Sequence, residues 1–272
     1  MVFGVCRLTG KRGTFVDSHL LPKALTRPLQ PGKPFVEAGR GKRPIRRFSS
    51  WYDNRLVTKE GERILRDLDD WGIAELRKHQ LIWSGLDLDT EPPLIERVPD
   101  TSFGVREIRG IDRARLRLFL LSLLWRAGAT NRMEFDAVSM PESELSQLGD
   151  MIRTNNPGPL SFYPATLIQL VPSGEVHNYS PTAGVKKQLS RDGTQECEIP
   201  FFRFYFDGLI VHMHRSSRKN CAVDKTLLVG GDDLLLVSIM DTGKSAQYGY
   251  MAQVVKEANE GWPDVMNKLN PP

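Results

Sequence analysis

Five histidines and three cysteines are the side chains of this chain best suited to proton transfer, nucleophilic attack or soft-metal ligation near neutral pH. His79 closes a charged, helix-like stretch, where the negative end of a helix dipole suits an imidazole. His177 stands among turn residues. His212 and His214 are two apart in an apolar run, so a strand would set both on one side, and a metal there would need a third ligand. His19 has a different context. It follows a short hairpin and sits in Asp17-Ser18-His19-Leu20-Leu21-Pro22. Cys6, Cys197 and Cys221 are far apart, form no CxxC pair and are odd in number, which fits a reducing compartment better than a disulfide framework. Asp241-Thr242-Gly243-Lys244-Ser245 lacks the first glycine and the spacing of a phosphate loop and reads as a helix N-cap region. Gly230-Gly231-Asp232-Asp233 reads as a turn.

The elements that must position these groups follow from the hydrophobic pattern. Val2, Phe3 and Val5, then Gly10-Lys11-Arg12-Gly13, then Phe15 and Val16 make a hairpin, since glycines flanking two cations are turn chemistry. The stretch from Pro28 to Arg47 is rich in Gly, Pro and Arg and is expected to be a loop or extended arm. Between Thr58 and Trp83 the apolar positions Ile64, Leu65, Leu68, Trp71, Leu76 and Ile82 fall near helical spacing, with Thr58 as N-cap and Glu60 and Glu62 in the first turn. Residues 86 to 110 form a Pro/Asp/Glu-rich connector between a basic module, 1 to 85, and a C-terminal part, 111 to 272. A helix begins after Asp112 and ends at Gly128, and another spans Glu142 to Arg153. Strand-like runs follow at Ala165 to Val171, Phe201 to His214 and Thr226 to Ile239, with a turn at Tyr205-Phe206-Asp207-Gly208 and a last helix from Ser245 to Ala258. Phe201, Phe202, Phe204 and Phe206 read as core. Helices followed by strands predict an α+β fold.

Charge is segregated along the chain. Residues 1 to 50 carry 11 Lys/Arg against Asp17 and Glu37, a net +9, so the other 222 residues sum to −5 within the overall +4. Such concentration attracts polyanions through long-range attraction and counterion release, so nucleic acid is the expected partner, with Lys11, Arg12, Lys23, Arg40, Lys42, Arg43, Arg46 and Arg47 as its contacts. The longest apolar stretch, Leu116 to Trp125, includes Arg117 and falls short of the roughly 20 residues a bilayer requires. With no signal-like start either, a cytoplasmic protein without a membrane is expected.

Three strings together carry a resemblance: Cys6-Arg7-Leu8-Thr9-Gly10, then Ser18-His19-Leu20-Leu21-Pro22-Lys23, then Tyr52-Asp53-Asn54-Arg55-Leu56-Val57-Thr58-Lys59-Glu60-Gly61-Glu62. Over residues 3 to 65 the chain resembles the HNH endonucleases of the His-Me finger type, a hairpin-helix module. The resemblance implies metal-dependent hydrolysis of phosphodiester bonds, with DNA favoured over RNA and with a role as an effector in bacterial defence. It implies His19 as general base, Asp53 as the residue that orients hairpin and base, and Glu62 as metal ligand, with Asp17 or Ser18 as a second. An oxygen set of this kind selects Mg²⁺ or Mn²⁺. The family's four zinc-knuckle positions fall on Cys6, Thr9, Thr58 and Gly61, of which only Cys6 binds zinc, so no structural zinc is expected. A domain that has lost those ligands could also retain only its affinity for nucleic acid. Equally, Ser18-His19 could cap and pack a short helix, Asp53 could form a turn, and Glu62 could simply answer a helix dipole. The C-terminal part would then dock a protein partner.

Overall fold

The structure is a computed structural model, and it describes residues 2–26, 34–39, 41–86, 94, 96–97, 101, 103–189, 194, 196–215, 225–231 and 234–269. Its class is α+β. The N-terminal hairpin forms as expected: β1 (Phe3–Val5) pairs antiparallel with β2 (Arg12–Thr14) around a turn in which Gly10 adopts φ 70°. The next strand, β3 (Ser18–His19), runs into a 3-10 turn at Lys23–Leu25. The arm is more ordered than expected, because β4 (Phe35–Gly39) and β5 (Lys42–Arg47) pair as a second hairpin; Arg40 and residues 27–33 lie outside the described residues. A two-residue strand, β6 (Tyr52–Asp53), then returns to pair with β3, and α1 (Lys59–Lys78) follows. Thr58 occupies the N-cap position of α1 with extended backbone, although its side chain makes no capping bond. The helix ends before Trp83 because Gln80 takes a left-handed conformation, φ 53°.

Residues 86 to 110 contribute β7 (Glu96–Arg97) and β8 (Phe103–Ile108) to the large sheet. Next comes α2 (Arg113–Ala129), capped by the Asp112 carboxylate, which accepts from Arg115 N at 2.9 Å. From Leu116 to Ala127 every residue of this helix is buried. Helix α3 (Glu142–Thr154) packs beside it and ends on Asn155 at φ 52°. The sheet is completed by β9 (Ala165–Val171), β10 (Tyr179–Leu189), β11 (Glu196–Phe206), β12 (Leu209–His214) and β13 (Leu235–Asp241), in the order β10-β11-β12-β9-β13-β8-β7. All pairs are antiparallel except β13 with β9. Helices α4 (Ala246–Gly261) and α5 (Pro263–Leu269) close the chain. Ser245 caps α4 by accepting from Tyr248 N at 3.1 Å, as expected of an N-cap region.

One apolar cluster runs from Cys6 and Leu8 through Leu65, Phe119 and Trp125 to Phe204 and Val237. The basic module and the sheet therefore share a core, with α2 between them. A Cβ on Gly72 of α1 would lie 2.6 Å from the Phe119 ring of α2, so a glycine is what lets these helices touch. Arg117 is fully buried in the same helix and donates to the carbonyls of Pro157, Pro159, Phe162 and Tyr163. Those bonds fix the loop between α3 and β9. The basic hairpin β4–β5 lies against α4 and α5, with Arg46 donating to the Lys268 carbonyl at 2.9 Å, where it meets the negative end of α5. Cys197 is disulfide-bonded, which departs from the expectation of reduced thiols.

Candidate functional site

The strand register builds the site. Ser18 stands opposite Asp53 and His19 opposite Tyr52, across two strands separated by more than thirty residues of intervening chain. Alternation along β3 then sends adjacent side chains to opposite faces. Ser18 points inward, is fully buried, and meets Glu62 in the first turn of α1. His19 points to the half-buried outer face, where its Nε2 lies 3.1 Å from Ser49 Oγ and its ring 6.3 Å from that of Tyr52. Burial holds the His19 imidazole below its usual pKa, the positive charges of Lys23 and Arg126 add to this, and Asp17 opposes them. Asp17 itself is exposed.

Glu62 is governed mainly by burial, which raises its carboxyl pKa, with Asp69 adding to the rise and Ser18, Arg126 and Arg66 opposing it. Its Oε2 and the Ser18 Oγ are buried, and neither completes a hydrogen bond of good geometry. The Ser18 hydroxyl contacts the Glu62 carboxyl, and together they present two oxygens of the kind that Mg²⁺ takes along with waters and phosphate. Among the described residues no three His, Cys, Asp or Glu side chains gather as a metal-binding group. Asp53 is committed elsewhere. Its Oδ1 accepts from Arg55 N at 2.8 Å and its Oδ2 from Thr130 Oγ1 at 2.6 Å, which locks the β6 turn to the end of α2.

The four positions where the resemblance would place zinc ligands converge. Thr9 N donates to Cys6 Sγ at 3.4 Å, Thr58 also hydrogen-bonds the thiol, and a Cβ on Gly61 would come within 2.7 Å of Cys6 Sγ. Burial raises the Cys6 pKa, but the bonds from Thr9 and Thr58 outweigh it and the net shift is downward. A single buried sulfur thus fills the space between these four positions and leaves no room for a side chain at Gly61. Gly61→Ala is expected to destabilise the protein by about 1–3 kcal/mol through overpacking. The check is the urea midpoint, and an unchanged value would mean that the thiol can move aside.

Arg126 was not legible as a site residue in the sequence. It is fully buried, pairs with Asp69 at 2.6 and 3.0 Å, and also donates to the carbonyls of His19 at 3.3 Å and Leu65 at 3.4 Å. A residue of α2 therefore ties the strand that carries His19 to the helix that carries Glu62. Its only sequence signal was a cation inside an apolar helix. Arg126→Met would leave Asp69 buried without its partner, and a loss of about 3–5 kcal/mol is expected in denaturant unfolding. Recovery of most of that loss in Arg126→Met with Asp69→Leu would identify the orphaned carboxylate as its cause.

The chain matches no family model, no curated protein and no solved structure. Of the expected nucleic-acid contacts, Arg12, Lys23 and Arg43 are exposed, while Lys11 pairs with Glu60 at 2.7 Å and Arg47 with Glu37 at 2.5 Å. Lys42 reaches Met133 Sδ at 2.6 Å, and Arg46 is held by the end of α5. Such exposed ion pairs are weak and exchange readily for phosphate contacts. Among the described residues no helix is long and apolar enough to cross a membrane.

Proposed function

We propose that this chain is a metal-dependent nuclease of the His-Me finger type. The observation that supports it is the convergence of Cys6, Thr9, Thr58 and Gly61 around one sulfur beside a strand pair that aligns Ser18 and His19 with Asp53 and Tyr52. That is the arrangement which the spacing of the three sequence strings implies. His19, biased toward its neutral form, takes a proton from the attacking water. Glu62 and Ser18 would hold a divalent ion, which supplies charge to polarise the scissile phosphate. Asp53 keeps the second strand in place through Thr130, and the basic hairpin attracts the polyanion.

One observation favours the rival reading of an inactive nucleic-acid-binding relative. Glu62 Oε2 is closed off from solvent, so an ion reaches it only if β3 and α1 part slightly. The deciding experiment incubates purified protein with plasmid DNA and with mixed RNA in Mg²⁺ or Mn²⁺, alongside His19→Ala and Glu62→Ala. Cleavage that needs the ion and is lost in both variants is expected. Salt-sensitive binding with intact substrate under every ion would replace the nuclease reading with the binding one. The proposed substrate is DNA ahead of RNA, and the C-terminal sheet is the proposed surface for a partner protein.

A further inference from the structure

Three large apolar side chains stand open to solvent within eight residues of one another, Ile45 at 42% exposed, Phe48 at 71% and Tyr52 at 41%, and the Tyr52 ring lies 6.3 Å from that of His19. The sequence around them is Arg43-Pro44-Ile45-Arg46-Arg47-Phe48. Alternation along β5 explains the arrangement. Pro44 is buried and Arg46 is bonded to α5, so one face of the strand is spent on the C-terminal helices. The other face carries Arg43, Ile45 and Arg47 outward. Phe48 follows the last residue of β5, is exposed, and adjoins Ser49, which touches His19. Tyr52 joins from the other side, since directly opposite residues in an antiparallel pair share a face and Tyr52 is opposite His19.

Cations alone would serve any polyanion. Aromatic rings set among them serve a narrower class, because a ring face needs an unpaired base to stack on, and bases within a duplex are already stacked on each other. We infer that Phe48 and Tyr52, which follow the cations Arg43 and Arg47 along the chain, form a stacking platform for the unpaired bases of a single-stranded polynucleotide that passes His19. The inference rests on the proposed nuclease reading for the meaning of His19, while the platform itself needs no cleavage. The Arg47–Glu37 pair would open as a phosphate replaces the carboxylate, which costs little at an exposed site.

The test separates the two readings by measuring binding without metal. Fluorescence anisotropy is followed in EDTA with labelled 12-nucleotide DNA and RNA single strands and with their duplexes, for the full chain and for Phe48→Ala, Phe48→Trp and Arg43→Ala. The expected result is tighter binding of single strands than of duplexes, weakened about tenfold in Phe48→Ala and restored in Phe48→Trp. Arg43→Ala should weaken single strands and duplexes alike and lower the salt dependence. Equal affinity for single strands and duplexes, or wild-type affinity in Phe48→Ala, overturns the platform even if cleavage is observed. A platform that behaves as expected in a protein that never cleaves sinks only the nuclease reading. DNA and RNA strands in parallel show which sugar is accepted.

Discussion

His19→Ala is expected to lower metal-dependent cleavage by about 100- to 10,000-fold, the range over which a positioned general base acts, while leaving the fold intact. The side chain is half-buried and its one side-chain hydrogen bond is to Ser49, so little packing is lost with it. The pH profile gives a second measure. Burial, Lys23 and Arg126 all favour the neutral imidazole, so the rate should rise with pH with a midpoint below the usual imidazole pKa near 6.5. Asp17→Asn removes the one charge that opposes them and should move the rising limb to lower pH. An Asp17→Asn profile that moves upward, or a rate that keeps rising well beyond neutrality, would show that a group other than His19 takes the proton.

Acid should unfold the protein through His212 and His214. Both lie on the face of the large sheet that includes Arg203, with Phe201 stacked on His212 at 4.4 Å and Thr166 Oγ1 3.3 Å from His214 Nε2. Burial pushes the His212 pKa down to about 3, helped by Arg203, His214 and Lys186, and pushes the His214 pKa down to about 4, helped by Lys186. In the unfolded chain each imidazole titrates near 6.5. Both folded values are depressed, so the unfolded state binds the extra protons. Stability is therefore full above about pH 6.5 and is lost as pH falls toward 4, at up to about 1.4 kcal/mol per pH unit for each imidazole. Urea unfolding from pH 7.5 to 4.5 reads this directly when compared with a His212→Phe, His214→Gln variant. The wild type should show much the steeper decline. Parallel curves would mean that these imidazoles carry no buried-neutral penalty, and carboxylates would then have to explain any acid loss.

The two histidines also illustrate what a single sequence could and could not convey. Their spacing of two in an apolar run placed them on one side of a strand, and they are on one side of β12. What they face was not legible, because Arg203 comes from the neighbouring strand and Gln247, which accepts from Arg203 at 2.6 Å, comes from α4. His177 read as a turn residue, yet it stacks on Tyr205 at 4.4 Å and bonds Gln247 at 2.9 Å. Strand β10 escaped notice because it is an edge strand with Pro181, Gly184 and two lysines, which lacks the alternation that a half-buried strand shows. The connector's strands escaped for a related reason, since β7 has two residues and pairs only with β8.

What the sequence determined by itself was local. Hairpin β1–β2, the Asp112 and Ser245 caps and the limits of α2 and α3 all depend on neighbours a few residues away, where turn chemistry, capping and periodicity operate. What only the tertiary structure decided was every contact that closes a long loop. Arg126 reaching across 57 residues to Asp69, Thr130 reaching 77 to Asp53, and the basic hairpin settling on α4 and α5 rather than standing free are of this kind. Those pairings depend on which apolar faces bury against one another, and a buried cation or a docked hairpin finds its partner only after the shared core has formed.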